Sequence, residues 1–192
     1  MNAMKRIVIL CLLIFSALSP SYASGQFFFL KDPLEGKAAP DFTLKTLSGK
    51  EMNLTKFREG NAAIIFFWAT WCPHCREQFV ELNIQVAEIE KKGIKLILVD
   101  LDEDVRLVQS YVQKHNIKQD VVLDTDFAVA EKYSIVGVPT FYFIDKAGVI
   151  KSVDHEFPDN YAEVLGGSGD KINPPMPGKE NNVNDKRSAG TT

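Results

Sequence analysis

An unbroken apolar run, Ala62-Ala63-Ile64-Ile65-Phe66-Phe67-Trp68, leads directly into Ala69-Thr70-Trp71-Cys72-Pro73-His74-Cys75. A strand that is half exposed alternates apolar with polar residues. A strand without alternation needs apolar cover on both faces, which is the pattern of an interior strand in a sheet sandwiched by helices. Pro73 and the residues after it then read as a helix to about Lys92, with Phe79, Leu82, Val86 and Ile89 on one face and Gly93 as the stop signal. Strand, tight turn and long helix in that order restrict the fold to the α/β class.

The remaining pattern agrees. Phe42-Thr43-Leu44 and Met52-Asn53-Leu54 alternate around Ser48-Gly49-Lys50, predicting an N-terminal β-hairpin. Asn53-Leu54-Thr55 matches a glycosylation sequon, which we read as incidental within a strand. Ile94 to Leu101 is a second buried strand. Asp104 to about His115 reads as a helix with Val105, Val108, Tyr111 and Val112 on one face. Val121-Val122-Leu123 and the short helix Phe127 to Tyr133 form a βα insertion. Thr140 to Ile144 and Val149 to Val153 make a closing hairpin through Lys146-Ala147-Gly148, and Pro158 to Leu165 predicts a last helix. The result is a central mixed sheet flanked by helices.

The ends differ from the middle. Lys5 and Arg6 precede an apolar run from Ile7 to Leu18, followed by Pro20 and by Ser21-Tyr22-Ala23, so residues 1–23 read as a signal peptide cut after Ala23. The run is short for a bilayer span of about 20 residues; the other reading is an uncleaved N-terminus that tethers the chain to the membrane. Residues 24–39 form a lead-in in which Phe27-Phe28-Phe29-Leu30 must pack on the domain, touch a membrane or bind a partner. Residues 40–165 hold the domain. From 166 to 192 Gly, Pro, Asn, Asp and Lys dominate, predicting a disordered tail. The formal net charge of −3, without a basic stripe, argues against nucleic acid as a partner.

Of three cysteines, Cys11 lies in the leader, so the mature chain keeps Cys72 and Cys75. A pair three residues apart closes almost no loop and adds little stability, so its value is chemical. Cys72 sits where a helix begins, beside unsatisfied amide hydrogens and the positive end of the helix dipole, and Pro73 takes the first helical position without losing a hydrogen bond. This makes Cys72 the expected exposed nucleophile and Cys75 the more buried resolving thiol. A zinc site would need about four ligands, and His74, His115 and His155 are scattered, so no metal is expected. Arg76 follows Cys75 where covalent haem attachment needs His. No cofactor is required. The acidic cluster Asp100, Asp102, Glu103 and Asp104 reads as a solvated loop with a helix N-cap.

Phe66 to Glu77, spanning Trp71-Cys72-Pro73-His74-Cys75, resembles the active-site stretch of exported thioredoxin-like proteins of the TlpA/ResA type. Gly137-Val138-Pro139-Thr140 is similar to their cis-proline loop, and Phe143 to Gly148 to the strand and turn after it. The resemblance covers roughly Ala39 to Leu165 and implies a thioredoxin-like fold and a thiol–disulfide oxidoreductase. It also implies protein thiols and disulfides as partners, a membrane-bound redox partner that resets the pair, and a periplasmic or otherwise extracytoplasmic location. In such proteins the loop faces the cysteines, so Val138 and Pro139 would receive an extended substrate segment. Two positions depart from the pattern. Phe66 stands where thioredoxin has a buried aspartate, and Gln78 where ResA-like proteins have a glutamate, so neither proposed proton acceptor for Cys75 is present. Glu77 is expected to point outward.

His74 is expected to stabilise the Cys72 thiolate and to raise the reduction potential above thioredoxin's value of about −270 mV. The Pro-His pair is the one found in DsbA-type oxidants, which makes disulfide formation the alternative direction. Against it, the stretch between Cys75 and Pro139 leaves little room for the large helical insertion of such oxidants. A peroxidase is disfavoured because no Pro-x-x-x-Thr-x-x-Cys pattern surrounds Cys72. A non-enzymatic binding module on the same scaffold is the remaining alternative.

Overall fold

In the structure, a computed structural model, residues 32–166 are described. The expected leader, the Phe27–Leu30 patch and the tail from 167 onward lie outside them. Seven strands form one mixed sheet: β1 (Thr43–Thr46), β2 (Glu51–Asn53), β3 (Ala63–Trp68), β4 (Lys95–Leu101), β5 (Asp120–Asp124), β6 (Thr140–Ile144) and β7 (Ile150–Asp154). Their spatial order is β2-β1-β5-β4-β3-β6-β7. The β3–β4 and β4–β5 pairs are parallel, and the hairpins β1–β2 and β6–β7 add antiparallel strands at either side. The helices are α1 (Leu54–Arg58), α2 (Pro73–Lys91), α3 (Val105–Lys114), α4 (Ala128–Lys132) and α5 (Tyr161–Val164).

The central strands divide their side chains between two cores, which is why β3 shows no polar alternation. Ile64, Phe66 and Trp68 face one side with Phe79, Leu82 and Ile89 of α2 and Val108 of α3. Ala63, Ile65 and Phe67 face the other with Val129 and Ala130 of α4, Tyr133 and Tyr142. Phe66 stacks on Phe141 with ring centroids 4.3 Å apart and meets Phe79 edge-on. The position that could have carried a buried carboxylate is therefore part of an aromatic cluster.

Several expectations need correction. Leu54 does not extend the hairpin: it opens α1, capped by Asn53, whose side chain accepts the Lys56 N–H at 3.0 Å. The Asn53 amide nitrogen donates to Asp41 at 2.9 Å and to the Phe42 carbonyl at 3.1 Å, so this sequon residue ties the segment after the lead-in to α1. Val105 is exposed, because α3 buries Val108 and half-buries Tyr111 and Val112 while its first residue lies beyond the edge of the contact. The final helix is shorter than expected, with its first turn beginning only at Tyr161. The end of the lead-in is built into the domain. Gly36 N–H donates to Ile150 O at 2.8 Å, Ala39 N–H to Gly148 O at 2.9 Å, and Ile150 N–H to Lys37 O at 2.9 Å, covering the edge of β7.

Candidate active site

β3 ends at Trp68, and Ala69-Thr70-Trp71 carries the chain to the start of α2. Cys72 is the N-cap of that helix, with extended backbone (φ −82°, ψ 111°), and Pro73 follows in the first turn. The two cysteines are joined as a disulfide with their Cα atoms 5.3 Å apart. Cys72 Sγ accepts the Cys75 N–H at 3.0 Å. A thiolate at this sulfur would receive that amide hydrogen and the field of a 19-residue helix, both favouring the charged form.

Cys72 is less exposed than expected: it is 3% accessible, against 0% for Cys75. The cause is the facing loop. Cys72 Sγ lies 3.6 Å from the Val138 carbonyl oxygen, a contact that becomes an S–H···O hydrogen bond only when the sulfur is protonated. The Val138–Pro139 peptide bond is cis. Thr140 Oγ1 donates to Gly137 O at 2.7 Å, and His155 Nδ1 lies 2.9 Å from Pro139 O. Because a carbonyl can only accept, that contact places the His155 proton on Nδ1. The rim of the site is apolar and open: Trp71 is 68% and Val136 95% exposed. Beside it, an open cleft lined by Glu77, Gln78, Glu81, Asp154, His155 and Glu156 gives one wall an acidic character.

His74 does not bond to Cys72. Its Nδ1 sits 3.3 Å from Glu77 Oε2, and both side chains are exposed. The direct bond to the Cys72 sulfur comes from the Cys75 backbone N–H, and any influence of His74 on Cys72 acts through space. Gln78, where a glutamate was the family expectation, accepts the Phe157 N–H at 2.6 Å and so fastens the segment after β7 to α2.

The acidic cluster is only partly the solvated loop expected. Asp104 caps α3, accepting the Arg106 N–H at 2.9 Å. Glu103 instead reaches the cysteine loop: Oε2 accepts the Thr70 N–H at 2.5 Å and Oε1 the Thr70 hydroxyl at 2.6 Å. Asp100, opposite Trp68 in the β3–β4 ladder, is completely buried. Burial, reinforced by the neighbouring Glu103 and Asp102 carboxylates, pushes its pKa up to about 9. The available signal was an aspartate inside the apolar run Ile97-Leu98-Val99-Asp100-Leu101. Among the described residues no group of three or more His, Cys, Asp or Glu side chains is placed to hold a metal ion.

Residues 36–153 match the AhpC/TSA family. The chain belongs to that family. Its relatives include a thiol–disulfide oxidoreductase ResA of Bacillus cereus, 32% identical over 168 residues that cover 87% of this chain and 95% of the relative. ResA of Bacillus thuringiensis subsp. konkukian is 30% identical over 151 residues, covering 78% and 86%. Among solved structures, the thioredoxin domain of a thiol–disulfide oxidoreductase from Bacteroides vulgatus superposes with a TM-score of 0.62 at 26% identity, covering 69% of this chain and 96% of that one. A thiol:disulfide interchange protein from Bacteroides sp. gives 0.61 at 26% identity, covering 69% and 88%. The fold is thioredoxin-like, and the chain is a thiol–disulfide oxidoreductase of the ResA type.

Proposed function

We propose that this protein is exported and reduces selected protein disulfides through Cys72 and Cys75. Residues 1–23 act as its leader and residues 40–165 as its working domain. The carrying observation is the cysteine pair at the N-terminus of α2 with Cys72 Sγ 3.6 Å from the carbonyl preceding cis-Pro139. The Cys72 thiolate attacks one sulfur of a partner disulfide, forming a mixed disulfide and releasing the other partner sulfur as a thiolate. Cys75 then attacks the Cys72 sulfur, forming the Cys72–Cys75 disulfide and releasing the second partner thiol. Two electrons pass to the partner, and a membrane-bound donor returns them. Val138 offers backbone to an extended partner segment, while Trp71, Pro73 and His74 shape and tune the contact.

Insulin reduction tests the chemistry: the wild type should be active and Cys72→Ser inactive. Equal background rates in both would favour a binding module. A Cys75→Ala variant should accumulate mixed disulfides with its partners. Direction is tested by alkylating thiols in intact cells. Pro73-His74 and the Cys75 N–H favour the reduced form, the property of an oxidant, so a pair found almost wholly oxidised would replace the reductant role with disulfide formation. Intact mass of the exported protein should show a start at Ser24, and a membrane-bound species retaining residues 1–23 would contradict cleavage.

A further inference from the structure

Asp100 is a fully buried carboxyl group to which no N–H or O–H donor makes a hydrogen bond. Trp68, its neighbour across the ladder, supplies none, because its indole N–H is itself without an acceptor. The group that Asp100 faces is the carboxyl of Glu103. The Glu103 backbone N–H has the weakest influence on Asp100 and makes no hydrogen bond to it. Two ionised carboxylates can only accept, so they repel; one proton between them turns repulsion into a strong charge-assisted bond. The proton's place is decided by the surroundings. Glu103 already accepts two hydrogen bonds from Thr70, which favour its charged form, whereas Asp100 is completely buried and neither of its oxygens accepts one.

We propose that Asp100 and Glu103 form an acid–carboxylate pair that positions the redox loop: Asp100 keeps a proton and donates it to Glu103, and Glu103 holds the Thr70 N–H and hydroxyl two residues before Cys72. The positioning role rests on the reading of Cys72 and Cys75 as the redox pair. It also bears on the missing proton acceptor, since a carboxyl that holds its own proton at neutral pH cannot take one from Cys75. Asp102 is the other carboxylate that acts on Asp100, Cys75 of α2 and Tyr111 of α3 pack in the core that contains Trp68, and Asp104, next to Glu103 in the chain, caps α3. Residues 63–68 of β3 contain none, and Asp124 of β5 turns away to bond the Val129 and Ala130 amides.

The test follows the Thr70 amide by NMR in the oxidised protein, where neither cysteine titrates. In the wild type the Thr70 resonance should move with a midpoint near pH 9, where Asp100 loses its proton and the two carboxylates repel. Asp100→Asn carries a permanent donor in the same shape, so its Thr70 resonance should show no such transition. Tyr111→Phe should retain it. Glu103→Ala should lower Thr70 amide protection and slow disulfide exchange by about tenfold, with Glu103→Gln recovering most of both. A wild type without the transition, or an Asp100→Asn protein that keeps it, would overturn the pair. Exchange at the wild-type rate in Glu103→Ala would overturn the positioning role. The amide measurements need no exchange activity, so they stand apart from any failure of the redox reading itself.

Discussion

Cys72 combines the N-cap position, an amide hydrogen from Cys75 and a facing carbonyl from Val138, and only the first two favour a thiolate. The Val138 oxygen favours a protonated sulfur, so the two sides of the site act in opposite senses on Cys72. His74 stands outside this arrangement, its ring held by Glu77 rather than by the sulfur. Replacing it should therefore have a modest effect with a definite sign. His74→Pro should raise the Cys72 pKa and lower the reduction potential, making the protein a stronger reductant. Thiolate absorbance against pH and equilibration with glutathione measure the two quantities; if neither moves, His74 is a surface residue with no redox role.

At the scale of elements, side chains bind the pieces of the site to one another. Gln78 of α2 holds the segment after β7 through Phe157, and His155 in that segment touches Pro139. Asn53 plays the same part on the far side, capping α1 with its oxygen and tying Asp41 and Phe42 with its nitrogen. Asn53→Ala removes both functions and should cost about 1–2 kcal/mol, seen as a lower urea midpoint with little change in slope. Because Asn53 lies away from the cysteines, insulin reduction by the folded variant should stay at the wild-type rate. A midpoint that does not fall would mean that water replaces those bonds without loss. Arg58 is a third fastening, buried at the end of α1, donating to Asn61 O at 3.1 Å and Asp145 O at 2.7 Å. It closes the β6–β7 turn against α1, and Gly148 in that turn has φ +86° with the Arg58 guanidinium 3.0 Å from where a Cβ would be.

Across the whole molecule, stability should carry the mark of buried acids: Asp124, whose pKa burial raises, and above all Asp100. Asp100 has its pKa raised from 3.8 to about 9, so between those values the native state holds a proton that the unfolded chain has released. Its contribution is complete below the unfolded value, falls as pH rises, and levels off above about 9, with a slope approaching about 1.4 kcal/mol per pH unit. Asp41, whose desolvation is outweighed by its bonds to Asn53 and Thr55 so that its pKa is lowered, works the other way and matters only in acid. Asp100→Asn should flatten the fall in urea midpoint from about pH 6 to pH 8; parallel wild-type and variant curves would show that Asp100 is ionised in the native protein. By itself the sequence determined the α/β order, the two-faced β3, the helix start at Cys72-Pro73 and the proline loop, because period, punctuation and capping are local properties. It misassigned Leu54 and Val105, where a cap and a helix edge outweigh the pattern of neighbouring residues. Only the tertiary structure decided that Glu103 grips Thr70, that Gln78 grips Phe157, that the lead-in covers β7, and that Asp100 is dry. Each of these joins residues from different elements, and a carboxylate in a strand looks the same in sequence whether water or a second carboxyl group lies beside it.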